Sequence, residues 1–66
     1  MKEFNKAERF LILTAIMKSM NRGGSYTQEN DYGKISSFEL ANEIAHDFGW
    51  TISYNQKAGK FYINQQ

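Results

Sequence analysis

Hydrophobic positions in this chain fall into two helical repeats and one alternating pair. Phe10, Leu13, Ile16, Met17 and Met20 recur at spacings of three and four, which puts them on one wide helical face. Ile12 lies at the edge of that face. Leu11 falls on the far side with Ala7, Ala15 and Lys18, and reads as an isolated surface leucine. Asn5 and Glu8 have the spacing of a capping box, so the helix is predicted to start at Asn5. Arg22 and Gly23 close it, glycine supplying the left-handed residue that ends many helices.

The clearest periodicity runs from about Ser37 to Phe48. Phe38, Leu40, Ala41, Ile44, Ala45 and Phe48 share one face, and Glu39, Asn42, Glu43, His46 and Asp47 the other. Ser36 and Glu39 are spaced as a capping box, and Gly49 is the stop. Alternation follows. Trp50, Ile52 and Tyr54 interleave with Thr51, Ser53 and Asn55, and Phe61 and Ile63 interleave with Lys60, Tyr62 and Asn64. Placing both apolar sets on one sheet face sets Tyr54 opposite Phe61 and Ile52 opposite Ile63. That register leaves a four-residue loop, Gln56 to Gly59, with glycine where a left-handed residue is wanted. Ile35 offers a short third strand, and the terminal glutamines fray. The predicted core is Phe10, Leu13, Met17, Leu40, Ile44, Phe48, Trp50, Ile52, Phe61 and Ile63. The fold class is α+β, in one domain of residues 1–66: two principal helices packed on a small antiparallel hairpin.

Gly23 to Lys34 is polar, and a dozen unstructured residues would be unusual in so small a domain. Two readings stay open: a single helical turn capped by Ser25 and Gln28 and stopped by Gly33, or a mobile loop. Gln28 to Glu39 also imitates the second half of a calcium-binding loop, with Gly33 sixth, Ile35 eighth and Glu39 twelfth. The leading positions carry Gln28, Asn30 and Tyr32 where carboxylate oxygens are needed, so no calcium site is expected.

Composition narrows the classes. A chain of 66 residues buries only about 60% of the surface its unfolded form exposes, and with no cysteine it has no disulfide to help. The core must come from aliphatics and from the 15% of residues that are aromatic, or from a partner chain, a homodimer being one form of that. The absence of cysteine is compatible with a reducing cytoplasm. The apolar run Phe10–Met17 is flanked by Arg9 and Lys18, lacks a cleavage pattern and is too short to span a bilayer. The expected location is therefore cytoplasmic, with no membrane contact. A net charge of +1 decides nothing by itself, so placement must.

The chemistry is sparse. The single histidine, His46, sits with Asn42, Glu43 and Asp47 on a solvated helix face, and no serine stands beside a base held by a third group. One helix offers too few ligands for a tight metal site, and Arg22 to Ser25 lacks the lysine and spacing of a phosphate loop. No enzyme, cofactor or metal is expected. Two candidate binding surfaces remain. The first is the outer hairpin face, Ser53, Asn55, Lys57, Lys60 and Tyr62, whose lysines, amides and aromatic suit phosphates and bases. The second is the acidic helix face of Glu39, Asn42, Glu43, His46 and Asp47, which suits a basic protein surface.

The order helix, optional turn, helix and lysine-tipped hairpin resembles a winged-helix domain from about Phe10 to Ile63, with Ser36 to Ala41 similar to the first half of its helix-turn-helix. The resemblance implies DNA binding, with the hairpin as a wing touching backbone. The chain departs from the family in having one clear helix fewer, and in an acidic helix where a recognition helix would stand. Its small size and Asn, Gln and Lys content also resemble accessory proteins of phages and mobile elements, many of which bind and inhibit host proteins. The resulting expectation is a non-catalytic module associated with nucleic acid or nucleoprotein machinery through its hairpin. The alternative is an inhibitor that grips a host protein through the acidic helix face.

Overall fold

The computed structural model describes residues 3–22 and 26–65. Helix α1 spans Lys6–Asn21. Its start is the expected capping box. The Asn5 side chain accepts from the Glu8 amide at 2.8 Å, and Glu8 Oε1 accepts from the Asn5 amide at 2.9 Å. These bonds satisfy two of the donors that every helix start leaves open. Arg22 caps the other end; Gly23, its expected companion, lies outside the described residues.

The connection after α1 is an antiparallel hairpin, β1 (Thr27–Asn30) with β2 (Gly33–Ser36). Over Thr27 to Ser36 this corrects the helical turn and the mobile loop alike; the Ser25 cap expected for that turn lies outside the described residues. Asn30 pairs with Gly33, leaving Asp31 and Tyr32 to turn the chain. The Asn30 side chain accepts from the Tyr32 amide at 2.8 Å, so the turn is held by an asparagine that mimics a backbone carbonyl. Ile35 is in a strand as expected, but pairs with Gln28 and not with the C-terminal hairpin.

Helix α2 spans Ser37–Asp47. Ser36 Oγ accepts from the Glu39 amide at 3.2 Å, which realises the serine half of the expected box. The exit is a Schellman motif: Gly49 N–H donates to His46 O at 2.9 Å and Trp50 N–H to Ala45 O at 3.0 Å. This geometry demands a left-handed residue, and Gly49 has φ +75°. The turn sends the chain straight into β3 (Thr51–Asn55), which pairs antiparallel with β4 (Lys60–Asn64). The register is the expected one, Tyr54 with Phe61 and Ile52 with Ile63. Gly59 has φ +66° and donates to Asn55 O at 2.8 Å, closing the predicted loop. The architecture is α+β, two helices with two hairpins.

The helices run antiparallel. Arg9 near the start of α1 pairs with Asp47 at the end of α2, while Asn21 and Phe38 at the opposite ends both reach Phe61. Small residues form the α2 side of the core: Ser37, Ala41 and Ala45, at spacings of four, are buried. Ala41 and Ala45 meet Leu13, Met17 and Met20 of α1 and Phe61 of β4. Ile44, Trp50, Ile52 and Ile63 pack around this centre as expected. Three expected core residues do not belong to it: Phe10, Leu40 and the half-buried Phe48. Phe10 is 42% exposed and Leu40 is 38% exposed. Phe10 meets Phe48 and Trp50 edge-on at the open end of the helix pair, and Leu40 faces away from β3–β4 beside Ile35.

Phe61 joins all the layers. Its ring lies 5.0 Å from Tyr26, 5.6 Å from Phe38 and 4.9 Å from Tyr54. Its peptide groups turn away from β3 and are taken by one side chain: Asn21 Nδ2 donates to Phe61 O at 3.1 Å, and Phe61 N–H donates to Asn21 Oδ1 at 2.8 Å. The asparagine stands where a third strand would pair. Asn21→Ala leaves both groups in a half-buried place without a partner. It should lower the unfolding free energy by about 1–3 kcal/mol in urea denaturation. A loss within ~0.5 kcal/mol, as at an ordinary surface site, would deny the clamp its role.

Candidate functional site

Residues 60, 62 and 64 of β4 and 51, 53 and 55 of β3 point away from the helices, because Phe61 and Ile63 point toward them. The outer face therefore consists of Thr51, Ser53, Asn55, Lys60, Tyr62 and Asn64, all exposed, with Lys57 in the loop. From Thr51 to Asn64 there is no carboxylate. All five residues expected at this site, Ser53, Asn55, Lys57, Lys60 and Tyr62, thus belong to one continuous surface.

They are not equally available. Asn55 Oδ1 accepts from the Ala58 amide at 3.0 Å and holds the loop in shape. Ser53 Oγ accepts from Asn64 Nδ2 at 3.0 Å, across the strand pair. Among the described residues, nothing hydrogen-bonds or ion-pairs with the side chains of Lys57, Lys60 or Tyr62. Tyr62 is 45% exposed, opposite the small Ser53. Two lysines and one tyrosine are therefore the groups free to meet a ligand.

The second surface is also gathered in one place. Asn42, Glu43, His46 and Asp47 line an open cleft of about 640 Å³ with Arg9, Ile44, Trp50 and Thr51. Glu39 lies outside it, in the first turn of α2, where a carboxylate favours the positive end of the helix. Arg9 of α1 reaches in to pair with Asp47 and also donates from Nε to Phe4 O at 2.9 Å. The cleft is therefore less acidic than α2 alone suggests. The His46 imidazole has no hydrogen-bond partner among the described residues, and the Thr51 hydroxyl accepts from Asn64 at 3.4 Å. No nucleophile–base pair is assembled there.

Sequence reasoning missed Tyr32. It stands at the β1–β2 turn, 98% exposed, with its amide fixed by Asn30. The signal was the run Asn30 to Gly33, which has asparagine and glycine at the outer places of a tight turn. Glu29 and Asp31 flank it, so this hairpin lacks the uniform charge of β3–β4. The stretch that imitates a calcium loop is this hairpin and the first turn of α2. Among the described residues no three His, Asp or Glu side chains are grouped to hold a metal ion. No helix among them is long and apolar enough to cross a membrane.

No protein-family model, curated protein or solved structure matches this chain. The two surfaces must be judged on their chemistry alone.

Asn55→Ala separates architecture from contact on the outer face. Losing the bond to Ala58 should cost about 0.5–1.5 kcal/mol of stability, read as a lower melting temperature. An unchanged melting temperature would free Asn55 from the loop and return it to the contact groups.

Proposed function

We propose that this chain is a non-catalytic binding module whose contact surface is the outer face and loop of β3–β4, and whose partner is nucleic acid or a nucleoprotein assembly. The observation that carries this reading is the union of Lys57, Lys60 and Tyr62 on an exposed hairpin without a carboxylate. Lysines attract phosphates without regard to sequence, and an exposed ring stacks on any base. A tyrosine also loses little entropy when ordered, which suits it to anchor a contact. In this reading β3–β4 acts as the wing does in the winged-helix family that the chain resembles. The carboxylates of α2 then face away from the phosphates, which they would repel.

A second reading has its own support. Four residues of the acidic α2 face share a cleft with Trp50, and a carboxylate beside an indole ring suits a lysine or arginine from a protein partner. Under it the chain is an interaction or inhibitor domain that covers a basic surface of a host protein, as small phage and mobile-element proteins do.

Mobility-shift and anisotropy titrations with single-stranded and duplex nucleic acid test the first reading. The double variant Lys60→Ala, Tyr62→Ala should keep the helical circular dichroism and weaken binding by about 1–3 kcal/mol, the scale of one stacked aromatic. Lys60→Ala alone should reduce the dependence on salt by about one phosphate contact. Reversing Glu43 and Asp47 to lysine should leave binding intact or strengthen it. No binding by the parent chain would remove the reading. A protein partner captured by the parent but lost on that reversal would establish the second.

A further inference from the structure

Asn21 closes the outer edge of β4, but the outer edge of β3 is open. Phe61 turns both its peptide groups away from β3, so its partner Tyr54 turns both of its own away from β4. Ile52, two residues back along the strand, does the same. Among the described residues, nothing hydrogen-bonds to the peptide groups of Ile52 or Tyr54 on that side. The edge therefore offers two donors and two acceptors, in pairs about 7 Å apart, which is the repeat of an extended chain. It is also unguarded. Sheets block unwanted pairing with charged residues, proline or bulges. Strand β1 carries Glu29 and β2 carries Lys34, whereas Thr51 to Asn55 holds no charge and no proline, and pairs without a bulge. The open edge runs beside the α2 cleft. Helix α1 packs on β4 and α2 on β3, so the side of α2 turned from α1 borders the free edge of β3. Asn42, Glu43 and His46 share the cleft with Trp50 and Thr51, where β3 begins. Asp47 is taken by Arg9, but Glu43 has no ion-pair partner among the described residues.

We propose that β3 accepts an added strand from a partner protein, an extended segment with a lysine or arginine turned toward Glu43 and the ring of Trp50. This rests on the reading of the α2 cleft as a protein contact, and gives that cleft a mode of binding. Open backbone donors and acceptors at a strand repeat select a polypeptide over nucleic acid, which carries no such ladder. Charge selects the kind of polypeptide. The wall beside the edge holds a free carboxylate, and the edge itself carries nothing that repels a cation. A second copy is the poorer occupant. Pairing β3 with its own image would set two α2 helices side by side, with Glu39 and Glu43 of both copies on one acidic surface. An added strand extends the sheet sideways, so Lys60 and Tyr62 on the outer face stay exposed.

Amide hydrogen exchange of the whole chain, read by nuclear magnetic resonance, tests the edge directly. In the free protein the amides of Ile52 and Tyr54 should exchange faster than that of Ser53, which the register pairs with Tyr62. The probe is a short synthetic peptide that alternates lysine with valine. At saturation it should slow exchange at Ile52 and Tyr54 by about tenfold or more, and shift the amides of Asn42, Glu43 and His46. Methylating the peptide's backbone nitrogens should abolish the protection. Glu43→Lys, at an exposed helix position, should keep the circular dichroism and weaken the lysine peptide by about fivefold. If the methylated peptide binds as well as its parent, strand addition is overturned while the cleft reading stands. If the lysine peptide moves neither β3 nor the cleft, both fall. Equal binding by a glutamate–valine peptide would overturn the basic partner. Equal protection of Ile52 and Tyr54 by an oligonucleotide, or by raising the protein concentration alone, would overturn the proposal in favour of another occupant.

Discussion

The clamp of Asn21 on Phe61 is the constraint on which the rest of the structure depends. A two-stranded hairpin is marginal by itself and must be held to a helix. Here one carboxamide at the end of α1 satisfies both outward peptide groups of Phe61, and three aromatic rings surround its side chain. Tyr26 comes from the start of the first hairpin, Phe38 from α2 and Tyr54 from β3. A single residue of β4 thus ties together both helices, β3 and the residue that leads into the first hairpin. In a domain whose whole stability is of order 5–15 kcal/mol at most, few contacts have comparable weight.

The make-up of the candidate surface is a consequence of this anchoring. Strand residues alternate, so driving Phe61 inward drives Lys60 and Tyr62 outward. A slip of one residue would bury the lysine and expose the phenylalanine. The same clamp occupies the free edge of β4, where an unpaired strand would otherwise recruit another chain. Any contact this edge makes with a partner would then fall to side chains, and the hairpin's outer face offers two lysines, a ring and no carboxylate. At the other end of the helix pair, Arg9 moderates the acidity of the α2 cleft by pairing with Asp47. The chain separates a basic, aromatic face from a mixed, partly neutralised one, and that separation underlies both functional readings.

What the sequence made legible followed strong periodicity. The Asn5 box, the limits of α2, the Gly49 stop and the Tyr54–Phe61 register were all readable, since each combines a repeat with a specific capping or turn residue. The β1–β2 hairpin was not. Its strands are exposed on both faces, so no alternation marks them, and its turn residues were absorbed into a comparison with a calcium loop. The core was only partly legible. Periodicity ranks residues by hydrophobicity, but close helix contact selects small ones, so Ala41 and Ala45 stand at the centre and Leu40 outside. The Asn21 clamp was hidden because nothing local distinguishes an asparagine at a helix end from a solvated one. The candidate site fared better, because strand parity alone assigns Lys60 and Tyr62 to one face. The internal bonds of Asn55 and Ser53 needed coordinates.

The most direct test of the account is a nuclear magnetic resonance titration of the isotope-labelled chain with short single-stranded and duplex oligonucleotides at low and moderate salt. The expected result is shift changes concentrated at Ser53 and at Lys57 to Tyr62, weakening as salt rises, with the amides of Glu43, His46 and Asp47 unmoved. Shifts centred on the α2 cleft, or none anywhere along β3–β4, would contradict it.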